Sequence, residues 1–321
     1  MGCGISEMVE NMNKTVLFFP GQGSQYVGMA GDLYEAAPEV RALYELASDE
    51  IGVDIARLSF EGPPEELKRT RFTQPAILLH SLAILTLLSE RLPAFDYAAG
   101  HSLGEYGALA VSGALSFENA IRAVVKRAAL MEEACQRTPS TMAAILGLDG
   151  EKIEEICAVA SSSGVVVPAN FNSGRQVVIS GEPNAVEEAV SLAREAGAKK
   201  AVMLEVGGAF HSPLMESAGA GLERYLIDVP FNKPSQPVVA NVTAEPVVDP
   251  DEIRSLLVQQ LTAPVRWAQT MEYLVQSGVK TIIEIGPGKV LAALAKRDMR
   301  PESSLNLDTM ADVEAFEAVA V

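Results

Sequence analysis

A Gly-x-Ser-x-Gly pentapeptide, Gly100-His101-Ser102-Leu103-Gly104, separates a short apolar segment that ends in Tyr97-Ala98-Ala99 from a helix-forming stretch over residues 105–114. Few local patterns restrict a fold as tightly. A serine at a strand-to-helix corner takes backbone angles that crowd its neighbours, and glycines two positions to either side let strand and helix pass without a side-chain clash. The hydroxyl then stands proud of a sheet. The unpaired N–H groups at the helix start point towards it, so an oxyanion developing there meets donors and a favourable dipole. Ser102 is therefore the candidate nucleophile. Glycine and serine are common in loops, so the weight of the reading depends on what accompanies the pentapeptide.

Around it the chain alternates strands and helices. Residues 15–19 (Thr-Val-Leu-Phe-Phe) form an apolar, β-rich run that stops at Pro20-Gly21-Gln22-Gly23-Ser24-Gln25, which predicts a buried first strand and a functional loop. That loop lacks the Gly-Lys-Ser/Thr ending of a P-loop and is no full Gly-x-Gly-x-x-Gly. Helical spacing covers 29–58 with a break at Pro38, then 74–92, then 117–137 behind Ser116, whose hydroxyl can cap that helix. His80 falls on the apolar stretch of the second and is expected to be a packed core residue.

Between 139 and 206 the order changes. A strand (142–146), helix (151–161), two strands (165–167 and 176–179), helix (184–196) and strand (200–206) give β-α-β-β-α-β, the ferredoxin-like order. Helices at 215–227, 253–261 and 267–277 follow, with a strand at 238–240 and a last buried strand at 280–285, closed by Gly286-Pro287-Gly288. The acidic end from 298 to 321 is expected to add a strand and a helix. The fold class expected is α/β: a large domain (14–138 and 207–321) with a mainly parallel sheet covered on both faces, carrying an inserted ferredoxin-like small domain (139–206).

Length and composition fit this. A chain of 321 residues with 48% apolar and 21% charged side chains can bury a substantial core. With 25 Lys plus Arg against 42 Asp plus Glu the net charge is −17, which repels nucleic acid and anionic membranes, so an anionic substrate must be met by individually placed basic residues. Cys3, Cys135 and Cys157 show no paired spacing, so no disulfide framework or zinc site is expected and a reducing cytoplasm fits. The longest apolar run, 76–88, falls short of the ~18 residues of a membrane span and is interrupted by polar side chains. Met1-Gly2-Cys3-Gly4-Ile5-Ser6 formally matches a myristoylation pattern, but residues 1–13 are expected to be a poorly ordered extension.

A serine nucleophile needs a base, and the chain has three histidines. His101 adjoins the serine on the corner and His80 belongs to the core, which leaves His211, on the turn Ala209-Phe210-His211-Ser212-Pro213. Its orienting partner can be a carboxylate or a backbone carbonyl, and spacing singles out no aspartate.

Taken together, Phe19-Pro20-Gly21-Gln22-Gly23-Ser24-Gln25, Gly100 to Tyr106, Arg127 with Met131, Ala209-Phe210-His211-Ser212, Gln260-Leu261 before Pro264-Val265-Arg266-Trp267, and Glu284-Ile285-Gly286-Pro287-Gly288 resemble the malonyl-CoA:acyl carrier protein transacylase family over residues 14–300. The resemblance implies an α/β-hydrolase-like domain with a ferredoxin-like insertion. It makes Ser102 the nucleophile, His211 the base, and the backbone N–H groups of Gln22 and Leu103 the oxyanion hole. Gln260 becomes the residue whose main-chain carbonyl orients the histidine, and Arg127 the clamp on a malonyl carboxylate. Gln74 and Met131 fall near the pocket, and Phe210 would crowd a branched α-carbon. Lys199 and Lys200 match positions near the pantetheine entrance, where an acidic carrier protein would dock. No cofactor or metal is implied: malonyl-CoA is substrate, the phosphopantetheine arm belongs to the carrier protein, and a cytoplasmic monomer is expected. The same serine corner could also serve a thioesterase, a trans-acting polyketide acyltransferase, or a non-enzymatic carrier-binding component.

Overall fold

The computed structural model describes residues 13–316; the formal myristoylation pattern and Cys3 lie outside the described residues. The described residues contribute ten strands: β1 (Lys14–Phe19), β2 (Tyr97–Gly100), β3 (Thr141–Leu146), β4 (Val166–Ser173), β5 (Gln176–Gly181), β6 (Lys200–Met203), β7 (Val238–Val239), β8 (Pro246–Val247), β9 (Val279–Ile285) and β10 (Ser303–Leu307). Six of them form one sheet in the order β10-β9-β1-β2-β7-β8, parallel except for β8 on the edge. The other four form an antiparallel sheet in the order β4-β5-β3-β6. With helices Gly150–Ala160 and Pro183–Glu195 in its crossovers, this second sheet has the ferredoxin-like topology expected.

β1 shows why the large sheet is central. Leu17 and Phe19 pack into one hydrophobic cluster while Val16 and Phe18 pack into another, the two-residue period of a strand covered on both faces. On the second face Phe18 meets Trp267 edge-on at 5.0 Å between ring centroids. The first face is covered directly by helix Gly104–Val111, whose Gly107 abuts the Phe19 ring, and behind it helices Thr70–Leu88 and Phe117–Arg137 pack against each other. Thr70–Leu88 is long and apolar enough to cross a membrane by length and hydropathy, yet 83% of its most apolar window is buried inside the fold. His80 on that helix is fully buried, with Nε2 2.7 Å from the Asp308 carbonyl, as expected of a core residue.

Several boundaries differ from the sequence reading, each for a physical reason. The second long helix starts at Thr70 rather than 74 and contains Pro75. A proline invites a start beside it, but here a full turn precedes it. β6 ends at Met203, and Leu204 and Val206 turn instead towards a cavity. β4 is longer than 165–167 because its pairing with β5 continues to Ser173, and its far half also bonds outside the sheet, where Phe171 N–H donates to the Val265 carbonyl and Val265 N–H to the Ala169 carbonyl. β9 is followed by β10 at the sheet edge, the expected closing strand. Helix Met310–Ala315 comes next, behind a Thr309–Asp312 capping box.

Candidate active site

β2 lies beside β1, with Gly100 opposite Phe19, and the chain turns through residues 101–103 into helix Gly104–Val111. The turn is as tight as the glycines suggest. A Cβ on Gly100 would sit 2.0 Å from the Gly104 carbonyl group, and one on Gly104 would sit 2.0 Å from the Phe19 carbonyl oxygen. Ser102 occupies the corner with φ of 50°, a conformation that L-residues with side chains seldom adopt. Asn241, two residues beyond the end of β7, holds the corner in place. Its Oδ1 accepts from the Ser102 N–H (2.6 Å) and its Nδ2 donates to the Gly100 carbonyl (2.7 Å).

Ser102 Oγ is 2.8 Å from His211 Nε2, and His211 Nδ1 is 2.7 Å from the Gln260 carbonyl oxygen. A carbonyl can only accept, so Nδ1 carries the proton and Nε2 offers its lone pair to the serine hydroxyl. The orienting group is the backbone carbonyl, the option the sequence left open beside a carboxylate. His211 itself has φ of 57°, which turns the ring out of the 209–213 turn towards the serine. Burial, reinforced by the charge on Arg127, lowers its pKa to about 3, so the base is neutral at physiological pH.

Arg127, from helix Phe117–Arg137, is fully buried directly behind the nucleophile. Its Nη1 donates to Gln74 Oε1 (2.6 Å), and its Nη2 donates to Gln260 Oε1 (2.9 Å) and to Ser102 Oγ (3.0 Å). Among the described residues its Nε has no partner, and no carboxylate lies within ion-pair distance of the guanidinium. Gln74 is completed by Met131, whose sulfur lies 3.5 Å from Nε2. Glu105, the first acidic residue of the elbow helix, accepts from Gln260 Nε2 (2.8 Å) and from the Asn241 backbone N–H (3.0 Å). Burial raises its pKa to about 7 against the pull of those hydrogen bonds and of Arg127.

A cavity of about 280 Å³ opens over the dyad between the two sheets, and Gln22, Gln74, Leu103, Met131 and Phe210 all line it. Neither the Gln22 nor the Leu103 backbone N–H has a partner among the described residues, which leaves both amides free. His101 faces the same space and pairs through Nε2 with Asn172 Oδ1 at 2.8 Å. An adjoining cavity of about 460 Å³ shares Gln22, His101, Asn172 and Gln176 and carries Lys289 and Arg297. Lys199 and Lys200 are exposed at the start of the edge strand β6 and line neither cavity. Among the described residues no group of His, Cys, Asp or Glu is arranged to hold a metal ion.

Sequence reasoning missed Asn241, Glu105, Asn172 and the side-chain role of Gln260. Only Glu105 had a local signal, being an acidic residue in the first turn of an otherwise apolar helix.

The acyl transferase domain family matches residues 16–315, a span that contains both sheets, the Ser102 corner and the His211 turn. Malonyl CoA-acyl carrier protein transacylase of Bacillus subtilis (strain 168) is 42% identical over 307 residues, covering 95% of this chain and 96% of its own. The protein of the same name from Escherichia coli (strain K12) is 43% identical over 300 residues, covering 92% and 96%. This chain belongs to the malonyl CoA-acyl carrier protein transacylase family. Its architecture is equally close to solved members. An acyl carrier protein S-malonyltransferase from Vibrio cholerae superposes with a TM-score of 0.88 at 42% identity, covering 94% of this chain and 99% of the other. A malonyl-transacylase in complex with its type II polyketide acyl-carrier protein has the same TM-score and identity, covering 94% and 98%. The enzyme class is thus acyltransferase.

Proposed function

We propose that the chain transfers malonyl from malonyl-CoA to the phosphopantetheine thiol of acyl carrier protein through an ester on Ser102, supplying extender units for fatty acid synthesis. The observation that carries this reading is the buried Arg127 guanidinium, which touches the nucleophile and has no carboxylate of its own. A buried cation without an anion in contact is costly; Glu105 reaches it only through Gln260, and the malonyl carboxylate supplies the contact. A bidentate guanidinium suits it, and a neutral acyl group would leave it unanswered.

The steps follow from the hydrogen bonds. His211 Nε2 takes the Ser102 proton as Oγ attacks the thioester carbonyl, and the oxyanion is held by the Gln22 and Leu103 N–H groups. Collapse breaks the C–S bond, and the coenzyme A thiolate leaves with the proton from His211. The carrier thiol then gives its proton to His211, attacks the malonyl-serine ester and regenerates Ser102. With the malonyl carboxylate against Arg127, the charge that depresses the His211 pKa is offset, so the base strengthens once the correct acyl group is bound.

In this reading Gln74 and Gln260 aim the guanidinium, Met131 and Phe210 wall the acyl pocket, and Lys199 and Lys200 lie on the carrier-docking side. The catalytic domain is 14–138 with 207–321, the small domain is 139–206, and the enzyme works as a cytoplasmic monomer without a cofactor. Likeness to the malonyl-transacylase of a type II polyketide carrier favours one second reading, a trans-acting supply to a polyketide synthase. Hydrolysis would use the same dyad and clamp with water as the acceptor, so the acceptor distinguishes the two.

The test is transfer from malonyl-CoA to a panel of purified holo carrier proteins. Malonyl-carrier should form with the wild type and vanish with Ser102→Ala. Steady coenzyme A release without a carrier would indicate hydrolysis instead, and the carrier used most efficiently identifies the pathway.

A further inference from the structure

Glu105 takes no part in the steps above, yet it is 97% buried beside the machinery and bonded to two of its supports. Gln260 is where the site converges. Its backbone carbonyl holds His211 Nδ1, its side-chain Oε1 receives Arg127 Nη2, and its Nε2 donates both to the Ser102 carbonyl (3.1 Å) and to Glu105 Oε2 (2.8 Å). With both amide hydrogens taken up, the oxygen has only one direction left, towards the guanidinium. Turned over, the amide would set its NH2 group against Arg127 and its oxygen against the carboxylate, two repulsive contacts in a low-dielectric interior. The same Glu105 oxygen accepts from the backbone of Asn241, whose side chain holds the Ser102 N–H and the Gly100 carbonyl. One carboxylate therefore braces both the arm that aims Arg127 and the arm that holds the nucleophile corner. It does not reach His211, so it is not the acid of a triad.

We infer that Glu105 is a positioning residue for acyl selectivity: by fixing the Gln260 amide it holds Arg127 against Ser102 Oγ, where a malonyl carboxylate must be received. This inference rests on the malonyl-transfer reading. Since Glu105 acts on selectivity through Gln260, its removal should change the malonyl-to-acetyl preference only while the Gln260 side chain is present, whereas loosening of the Asn241 arm slows both acyl groups alike in either background.

The experiment measures single-turnover acyl loading from malonyl-CoA and from acetyl-CoA in the full chain. The variants are Glu105→Ala and Glu105→Gln, each alone and together with Gln260→Ala. Glu105→Ala should lower the malonyl-to-acetyl preference by about tenfold, the scale of coupling between residues of one network. Glu105→Gln keeps an acceptor but cannot ionise; with loading measured above the value of about 7 to which burial raises Glu105, the lost charge roughly halves the hydrogen bond, so a smaller loss of about threefold is expected. In the Gln260→Ala background neither change should move the preference by more than about twofold, the limit of additivity for independent sites. The near-isosteric Glu105→Gln carries the test if Glu105→Ala does not fold. A preference untouched by Glu105→Gln, or shifted equally in both backgrounds, overturns the assignment. A wild-type enzyme without malonyl preference would instead refute the functional reading on which it rests.

Discussion

Replacing Arg127 by alanine separates substrate recognition from chemistry. The guanidinium makes three hydrogen bonds, to Gln74, Gln260 and Ser102, and is fully buried, so its interaction with a malonyl carboxylate occurs out of water. Removing one partner of a buried, hydrogen-bonded charge pair costs about 3–5 kcal/mol. At about 1.4 kcal/mol per decade, malonyl loading by Arg127→Ala should fall by two to four powers of ten in kcat/KM. Acetyl-CoA has a methyl group in place of the carboxylate and loses no such pair. Loading of acetyl should therefore stay within about tenfold of wild type, since the Ser102–His211 hydrogen bond and the free amides remain and the dyad loses only the Nη2 donation to Oγ. The variant also strips the donors from Gln74 Oε1 and Gln260 Oε1, at about 1–3 kcal/mol for each orphaned acceptor, so its thermal midpoint must be measured alongside. Rapid-quench loading with labelled malonyl-CoA and acetyl-CoA gives the ratio directly. A variant that folds and still prefers malonyl refutes the reasoning, whatever its absolute rate.

Other expectations follow from the same contacts. The His211 imidazole, depressed to about 3 by burial and by Arg127, should show no protonation step between pH 8 and 5 by NMR in the unliganded enzyme; a midpoint near the ordinary ~6.5 would contradict it. Glu284, whose oxygens accept the Leu291 and Ala292 N–H groups, is raised to about 7 by burial, so its contribution to stability is full below the ordinary carboxylate range and is lost as pH rises through 7. Glu284→Gln cannot ionise and should gain thermal midpoint relative to wild type at pH 8 compared with pH 5; an unchanged difference counts against the shift. Gly104→Ala, with its Cβ driven onto the Phe19 carbonyl oxygen, should cost at least about 3 kcal/mol in denaturant unfolding; a cost below about 1 kcal/mol would mean that the elbow relaxes easily.

Features whose cause is local could be read from the sequence. The Ser102 corner was legible because Gly100 and Gly104 must be glycine for β2 and its helix to pass, and helix Phe117–Arg137 because its apolar stripe and Ser116 cap are written in consecutive residues. The ferredoxin-like order followed from strand and helix runs in sequence. The bracing of the site had no such signature. Asn241 lies 139 residues from the Ser102 it holds, and Gln260 lies 155 from Glu105. Nothing periodic marks an amide that will be enclosed by a carboxylate and a guanidinium after folding. β8, two residues long and on the sheet edge, is likewise fixed by its partner β7 rather than by its own composition.

The central claim is that Ser102 carries malonyl between two thiols. Brief incubation with malonyl-CoA in the absence of carrier protein, acid quenching, proteolysis and mass spectrometry of the peptide spanning Gly100 to Gly104 tests it most directly. The account predicts one malonyl group on Ser102, discharged when holo carrier protein is added before the quench. No adduct, or an adduct that persists in Ser102→Ala, would contradict it.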